Sequence, residues 1–148
     1  MWLTAKEFRM RRLTLAFLLI ATSAAAHQGV QNADVKARMD LMTEMGASLK
    51  VLGQMAKGQR AFDAASANAA LRDLRANAEA TPEAFISAAE DPKSEALPAI
   101  WEDWDGFTAI ADKMAKAAGP DVATLDDLKG QLQAIGQTCS ACHEAYRK

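Results

Sequence analysis

TCSACHEAYRK, residues 138–148, closes the chain, and it does so at the end of a long helical pattern. The stretch holds Cys139, Cys142 and His143: both cysteines and one of the two histidines in 148 residues. Three chemistries use such a triplet: covalent attachment of haem, a redox dithiol, and part of a zinc site. The rest of the chain decides among them.

Working back from the motif, helical periodicity dominates, with almost no runs of strand character. The last helix opens at Thr124 and Asp127, a capping-box pair, and runs to the C-terminus; Gly130 and Gly136 lower its propensity, so packing must hold it. Before it, a third helix spans about Ala99 to Ala118 and stops at Gly119-Pro120. TPEAFISAAEDPKSEALP (residues 81–98) reads as a long connection with one helical turn, Thr81 as its cap and Pro82 at the first helical position. A second helix covers about Asp63 to Ala80, with Asp63 as N-cap, and a first covers about Asn32 to Lys57, with Gly58 just past its end. Four helices with three connections predict an all-α, antiparallel up-and-down four-helix bundle. A chain this small has little apolar area to spare, and a cofactor at its centre would add to its core.

The first residues read differently. MWLTAKEFRMRR carries four basic residues and one acid, LTLAFLLIA (residues 13–21) is a short apolar run, and Ala24-Ala25-Ala26 follow. That order is a secretory signal peptide, with an apolar run too short for a membrane span. Met10 is an alternative start, and an uncleaved anchor the competing reading. Residues 1–26 are therefore expected to be the signal and 27–148, beginning at His27, a bundle in the periplasm without stable membrane insertion. Lys6, Arg9, Arg11, Arg12 and Glu7 leave with the signal, so 13 basic and 18 acidic residues remain, a net charge of −5. With no basic block and this sign, nucleic acid is not an expected partner.

A structural zinc site wants four ligands. Adjacent Cys142 and His143 point about 100° apart on a helix, and the only other histidine is His27 at the expected new N-terminus. A redox dithiol sits at the start of a helix in a βαβ setting, and strands are lacking here. Haem attachment fits every position: two thiols two residues apart for the porphyrin vinyl groups, then a histidine for the proximal face of the iron. An oxidising compartment agrees with it, although it would also close an unprotected Cys-x-x-Cys into a disulfide.

The motif usually lies near the N-terminus of such proteins, and here it is at the very end. In this, and in GQTCSACHEAYRK with Arg147 four residues after His143, the chain resembles the class II cytochromes c, the group of cytochrome c prime and its low-spin relatives. RMDLMTEMGASLKVLGQMAKGQRAFD (residues 38–63) and AIWEDWDGF (residues 99–107) carry the resemblance through the first and third helices. It implies one haem c bound through Cys139 and Cys142, His143 as proximal ligand, and Arg147 near the proximal side of the ring. Relatives differ on the other face of the iron. Some are five-coordinate and bind NO or CO, and others use a methionine of the first helix. Many pair as dimers through the first two helices, and whether this chain does is left open.

At about 100° per residue, Val35, Arg38, Gly46, Leu49, Gly53 and Ala56 fall within about 40° of Met42, which puts Met42 at the centre of the buried stripe. Met42 is the candidate sixth ligand, with core filler as the alternative. Gly46 removes bulk beside it. Arg38 lies one turn before Met42 on the same face, where a haem propionate would pair it; the competing reading is a snorkelling side chain whose head reaches water. Trp101 and Phe107 are expected to pack in the core or on the ring, and Trp104 to lie near a surface. Histidine–methionine ligation implies a periplasmic electron carrier exchanging electrons with redox proteins, not an enzyme. A vacant sixth site implies NO or CO binding. Outside haem chemistry stands a haem-free helical protein that binds a partner.

Overall fold

Local chemistry at the helix ends sets the elements, in a computed structural model that describes residues 29–148. The expected signal peptide, and His27, lie outside the described residues. Helix α1 runs Ala33–Ala56; Asn32 caps it, its Oδ1 accepting from the N–H groups of Asp34 and Val35. Gly58, at φ 70°, follows its end and donates to the Met55 carbonyl, a left-handed conformation that glycine adopts without strain. Helix α2 runs Ala64–Ala84, with Asp63 accepting from Ser66 N–H at 2.9 Å. Helices α3 (Ala99–Glu102) and α4 (Trp104–Ala117) follow, then α5 (Leu125–Tyr146). The box expected at Thr124 is formed: Asp127 N–H donates to Thr124 Oγ1 at 3.1 Å, and Thr124 N–H donates to Asp127 Oδ2 at 2.9 Å.

Two expectations are corrected. Helix α2 does not stop at Ala80 but passes through Thr81 and Pro82. Thr81 does not cap a new turn; it is buried and its hydroxyl donates back to the Asn77 carbonyl at 2.9 Å. Proline in this last turn gives up its own N–H bond and crowds the carbonyl four residues back, and the buried Phe85 closes the helix by donating to the Thr81 carbonyl at 3.2 Å. The third helix, expected unbroken from Ala99 to Ala118, is interrupted at Asp103 (φ −123°, ψ 56°). The exposed Asp103 caps α4 and reaches the last helix, accepting from Gly106 N–H at 3.3 Å and from the Tyr146 hydroxyl at 2.6 Å. A Cβ at Gly106 would fall inside van der Waals contact of that carboxylate, so a larger residue there would displace the Asp103 side chain from its two bonds.

Helices α1, α2, α4 and α5 form a ring in which each packs on the next and α5 returns to α1. This is the expected up-and-down four-helix bundle, with α3 as a short extra turn at one end. Two apolar clusters fill it. The larger contains Leu52, Leu71, Leu74, Leu128 and Ile135, all at or below 1% exposure. The smaller, at the end that carries the motif, is Phe85, Ile100, Phe107 and Tyr146, with Phe107 edge-on to Tyr146 at 5.5 Å and tilted against Phe85 at 5.0 Å.

The connection at residues 87–97 binds both ends of the described chain. Asp91 Oδ2 accepts from the N–H groups of Gln31 (2.8 Å) and Asn32 (3.1 Å). Further on, Ala96 bridges to Arg147, Leu97 N–H donates to the Tyr146 carbonyl at 3.0 Å, and Lys148 N–H donates to the Glu95 carbonyl at 2.9 Å.

The Tyr146–Asp103 bond carries a pH prediction. The hydrogen bond to Asp103, burial and the carboxylate's charge push the Tyr146 phenol up to about 12. An unfolded tyrosine titrates near about pH 10, so the fold favours the protonated phenol; the contribution is complete below about pH 10 and is lost as pH rises toward the folded value. Helical circular dichroism followed from pH 9 to 12 should show an alkaline loss of structure that Tyr146→Phe makes shallower. An unchanged profile would mean that the phenol's titration is not what limits the fold there.

A candidate haem site between the two clusters

A cavity of about 560 Å³ separates the two clusters, within the roughly 300–1,000 Å³ of small-molecule and cofactor sites. Met45 and Met114 of the larger cluster and Phe85, Ile100, Phe107 and Tyr146 of the smaller one form its ends, with Val35, Leu49 and Ile110 between. Helix α5 supplies Cys139, Cys142 and His143 to its wall, and α1 supplies Arg38, Met42 and Gly46. The loop at residues 93–96 and Arg147 complete the rim. Every sequence-predicted site residue therefore lines one space.

The two cysteines are free and half-buried. Burial pushes both thiols up, so they are held protonated. A catalytic dithiol needs the opposite, a lowered thiol in electropositive surroundings. Among the described residues, no three His, Cys, Asp or Glu side chains gather closely enough to hold a metal ion on their own. Burial also lowers His143, and Arg147 adds to the effect while Glu95 opposes it. The imidazole is thereby held neutral, the form that ligates metal.

Met42 differs from expectation. The centre of the stripe is not buried against protein: Met42 is 36% exposed, while Met45, one turn on, is 6% exposed within the larger cluster. Periodicity marks an apolar face but does not separate a face packed on helices from one turned to a cavity. Beside Met42, a Cβ added to Gly46 would meet nothing within 4 Å, so that side of α1 is open toward the space it lines.

Arg38 does not snorkel. It is 3% exposed, its guanidinium stacked 5.2 Å from the rings of both Phe85 and Trp101. Nη2 donates to the carbonyls of Ser87 (2.6 Å) and Ala89 (3.3 Å). Nε and Nη1 are buried without a partner. Burial pulls its proton affinity down, with Asp34 opposing, yet a guanidinium stays charged in proteins. A buried charge with two idle donors on the wall of a cavity fits an anionic group of whatever fills that cavity. The thiols, the neutral imidazole, the apolar lining and this guanidinium together fit haem.

Arg147 reaches the rim but is held by an acid: Nε donates to Glu95 Oε2 at 2.6 Å, and Nη2 lies 2.5 Å from the same oxygen. Trp101 donates from Nε1 to the Phe85 carbonyl at 2.7 Å, fixing the ring that covers Arg38. Glu95 and the second role of Trp101 were not legible in the sequence, since each partner lies far along the chain.

A helical bundle with a thioether-ready Cys-x-x-Cys-His wall defines a covalent haem protein of the c type. The chain belongs to the cytochrome c′ family, whose family model matches residues 33–147. Cytochrome c-554 of Cereibacter sphaeroides is 40% identical over 150 residues, covering 92% of this chain and 95% of that one. Oxidized cytochrome c556 of R. palustris superposes with a TM-score of 0.73 at 32% identity, covering 80% of this chain and 98% of that one. A ferrous cytochrome c prime variant of Alcaligenes xylosoxidans with bound NO superposes with a TM-score of 0.70 at 28% identity, covering 78% and 94%. The protein is thus a monohaem c-type cytochrome carrying haem c, in a family of electron carriers and ligand binders.

Proposed function

We propose that the protein is a periplasmic electron carrier with a low-spin haem iron held by His143 and Met42, exported by a signal peptide over residues 1–26. The observation that carries the reading is that Met42 of α1 and His143 of α5 line the same cavity. Haem c supplies a one-electron couple at iron, and histidine–methionine ligation favours the reduced state and needs little rearrangement on electron transfer. Cys139 and Cys142 would tether the ring to α5. The neutral imidazole of His143 would present a lone pair without first losing a proton. Val35, Leu49 and Phe107 would keep water from the apolar part of the group, and Arg38 would offset the charge of a propionate. On this reading the protein is a carrier and not an enzyme. Among the described residues no helix is long and apolar enough to cross a membrane.

A second reading has one observation in its favour. Met42 is 36% exposed, so a side chain swung aside would leave a five-coordinate iron open to NO or CO, and one structural relative is seen with bound NO. The visible spectrum of the reduced protein, with and without CO, separates the two. A sharp α-band unmoved by CO is the expected result. A broad band that shifts with CO would replace the carrier by the gas binder. Absence of haem absorption from protein matured in the periplasm would remove both, in favour of a haem-free partner-binding bundle.

A further inference from the structure

Outside the cavity, Ile86, Trp101 and Trp104 line a shallow surface depression of about 260 Å³. Ile86 is 63% exposed in the turn after α2, where packing gives an isoleucine no task. The exposed acids Glu83, Glu102 and Asp105 are close neighbours of these residues in the chain, and Ile86 N–H donates to the Glu83 carbonyl at 3.3 Å. Trp101 belongs to two structures at once: it lines the depression, and its ring stacks 5.2 Å from the Arg38 guanidinium, which lines the cavity. Two side chains therefore connect this patch to the cofactor site.

We propose that the patch is the docking surface for a redox protein that presents an apolar spot ringed by lysine or arginine, and that the electron crosses beside Trp101. One electron lost by this protein is gained by the partner's centre, and no atom moves between them. The proposal rests on the electron-carrier reading. An apolar centre with tryptophan and charged surroundings is the anatomy of a transient interface, and the exposed acids next to these residues in the chain favour a basic partner. A second copy of the chain is disfavoured, because a two-fold contact here would set Glu83, Glu102 and Asp105 against the same acids.

The test uses the holoprotein, reduced, and stopped-flow electron exchange at low ionic strength with two probes: lysine-rich mitochondrial cytochrome c and the small complex tris(phenanthroline)cobalt(III). Ile86→Lys, at an exposed position, should slow exchange with mitochondrial cytochrome c by about tenfold or more. Asp126→Asn changes the net charge by the same amount at a side chain 95% exposed, at the start of α5, and should alter that rate by less than about twofold. Exchange with the cobalt complex, a small trication not confined to one docking face, should slow slightly and equally in both variants. Equal slowing with mitochondrial cytochrome c in both variants would reduce the effect to net charge and overturn the docking surface, as would no slowing in Ile86→Lys. A wild-type dimer in sedimentation that Ile86→Lys disperses would make the patch a self-contact, which also overturns it. If the unsubstituted protein exchanges electrons with neither probe, it is the carrier reading that fails.

Discussion

Met42→Ala is expected to turn a reduced protein indifferent to CO into one that binds it. Met42 lines the cavity from α1, beside Gly46, where no protein atom lies within 4 Å of an added Cβ. His143 occupies the α5 wall; of the neighbouring methionines, Met45 is 6% exposed within the larger cluster, and Met39 also lines the cavity, half-buried. Removing the thioether leaves Ala at a site already 36% exposed, so the fold loses little. The effect falls on the iron, whose α-band should broaden, whose reduced form should bind CO, and whose potential should fall as the thioether is lost. Comparison of Met42→Ala with Met39→Ala isolates the position. A Met42→Ala protein that keeps the unsubstituted spectrum and still ignores CO would remove Met42 as ligand.

Arg38→Met should weigh on the haem-loaded protein far more than on protein prepared without haem. The guanidinium is 3% exposed, and no protein group meets Nε or Nη1. Without haem those two buried donors would stay unsatisfied, each at about 1–3 kcal/mol, which offsets the loss of the Nη2 bonds to the Ser87 and Ala89 carbonyls, so a methionine of similar length between Phe85 and Trp101 should cost that form little. In the holoprotein a propionate meeting those donors would be left without its partner, at a cost of about 3–5 kcal/mol. Urea unfolding of both forms reads the difference. Equal destabilisation of the two would mean that Arg38 acts only through its stacking. The substituted holoprotein should also show a lower potential, because a nearby cation favours the less positive, reduced iron.

Not every feature of the fold was legible in the sequence. Helix existence and most boundaries were, since their causes are local: Asp63 and Thr124 as caps, and Gly58 beyond α1. The break at Asp103 was not, because the hydroxyl that holds its carboxylate lies 43 residues away on Tyr146. Pro82 was misread as the start of a turn, the place its fixed φ and missing N–H suit best, whereas it sits in the last turn of a helix that the buried Thr81 and Phe85 carry past it. At the site, spacing and resemblance brought Cys139, Cys142, His143, Arg38, Met42 and Arg147 to one wall or rim of one cavity. The two rings around Arg38 and the acid that holds Arg147 come from elsewhere in the chain, and no local pattern announces them.

The connection at residues 87–97 has a consequence in time. It ties the start of α1, through Asp91, to the last residues of the chain, through Glu95, Ala96 and Leu97. The rim of the cavity is thus assembled from segments separated by more than half of the polypeptide, and the C-terminal one is made last. The larger apolar cluster draws heavily on earlier helices and could begin to condense before the Cys-x-x-Cys-His segment joins it. Closing the rim costs the entropy of loops of 52 to 60 residues, so this step should come late in folding. Until then Cys139 and Cys142 would lie on an unfastened end of the chain, the interval in which the thiols should be most open to haem addition.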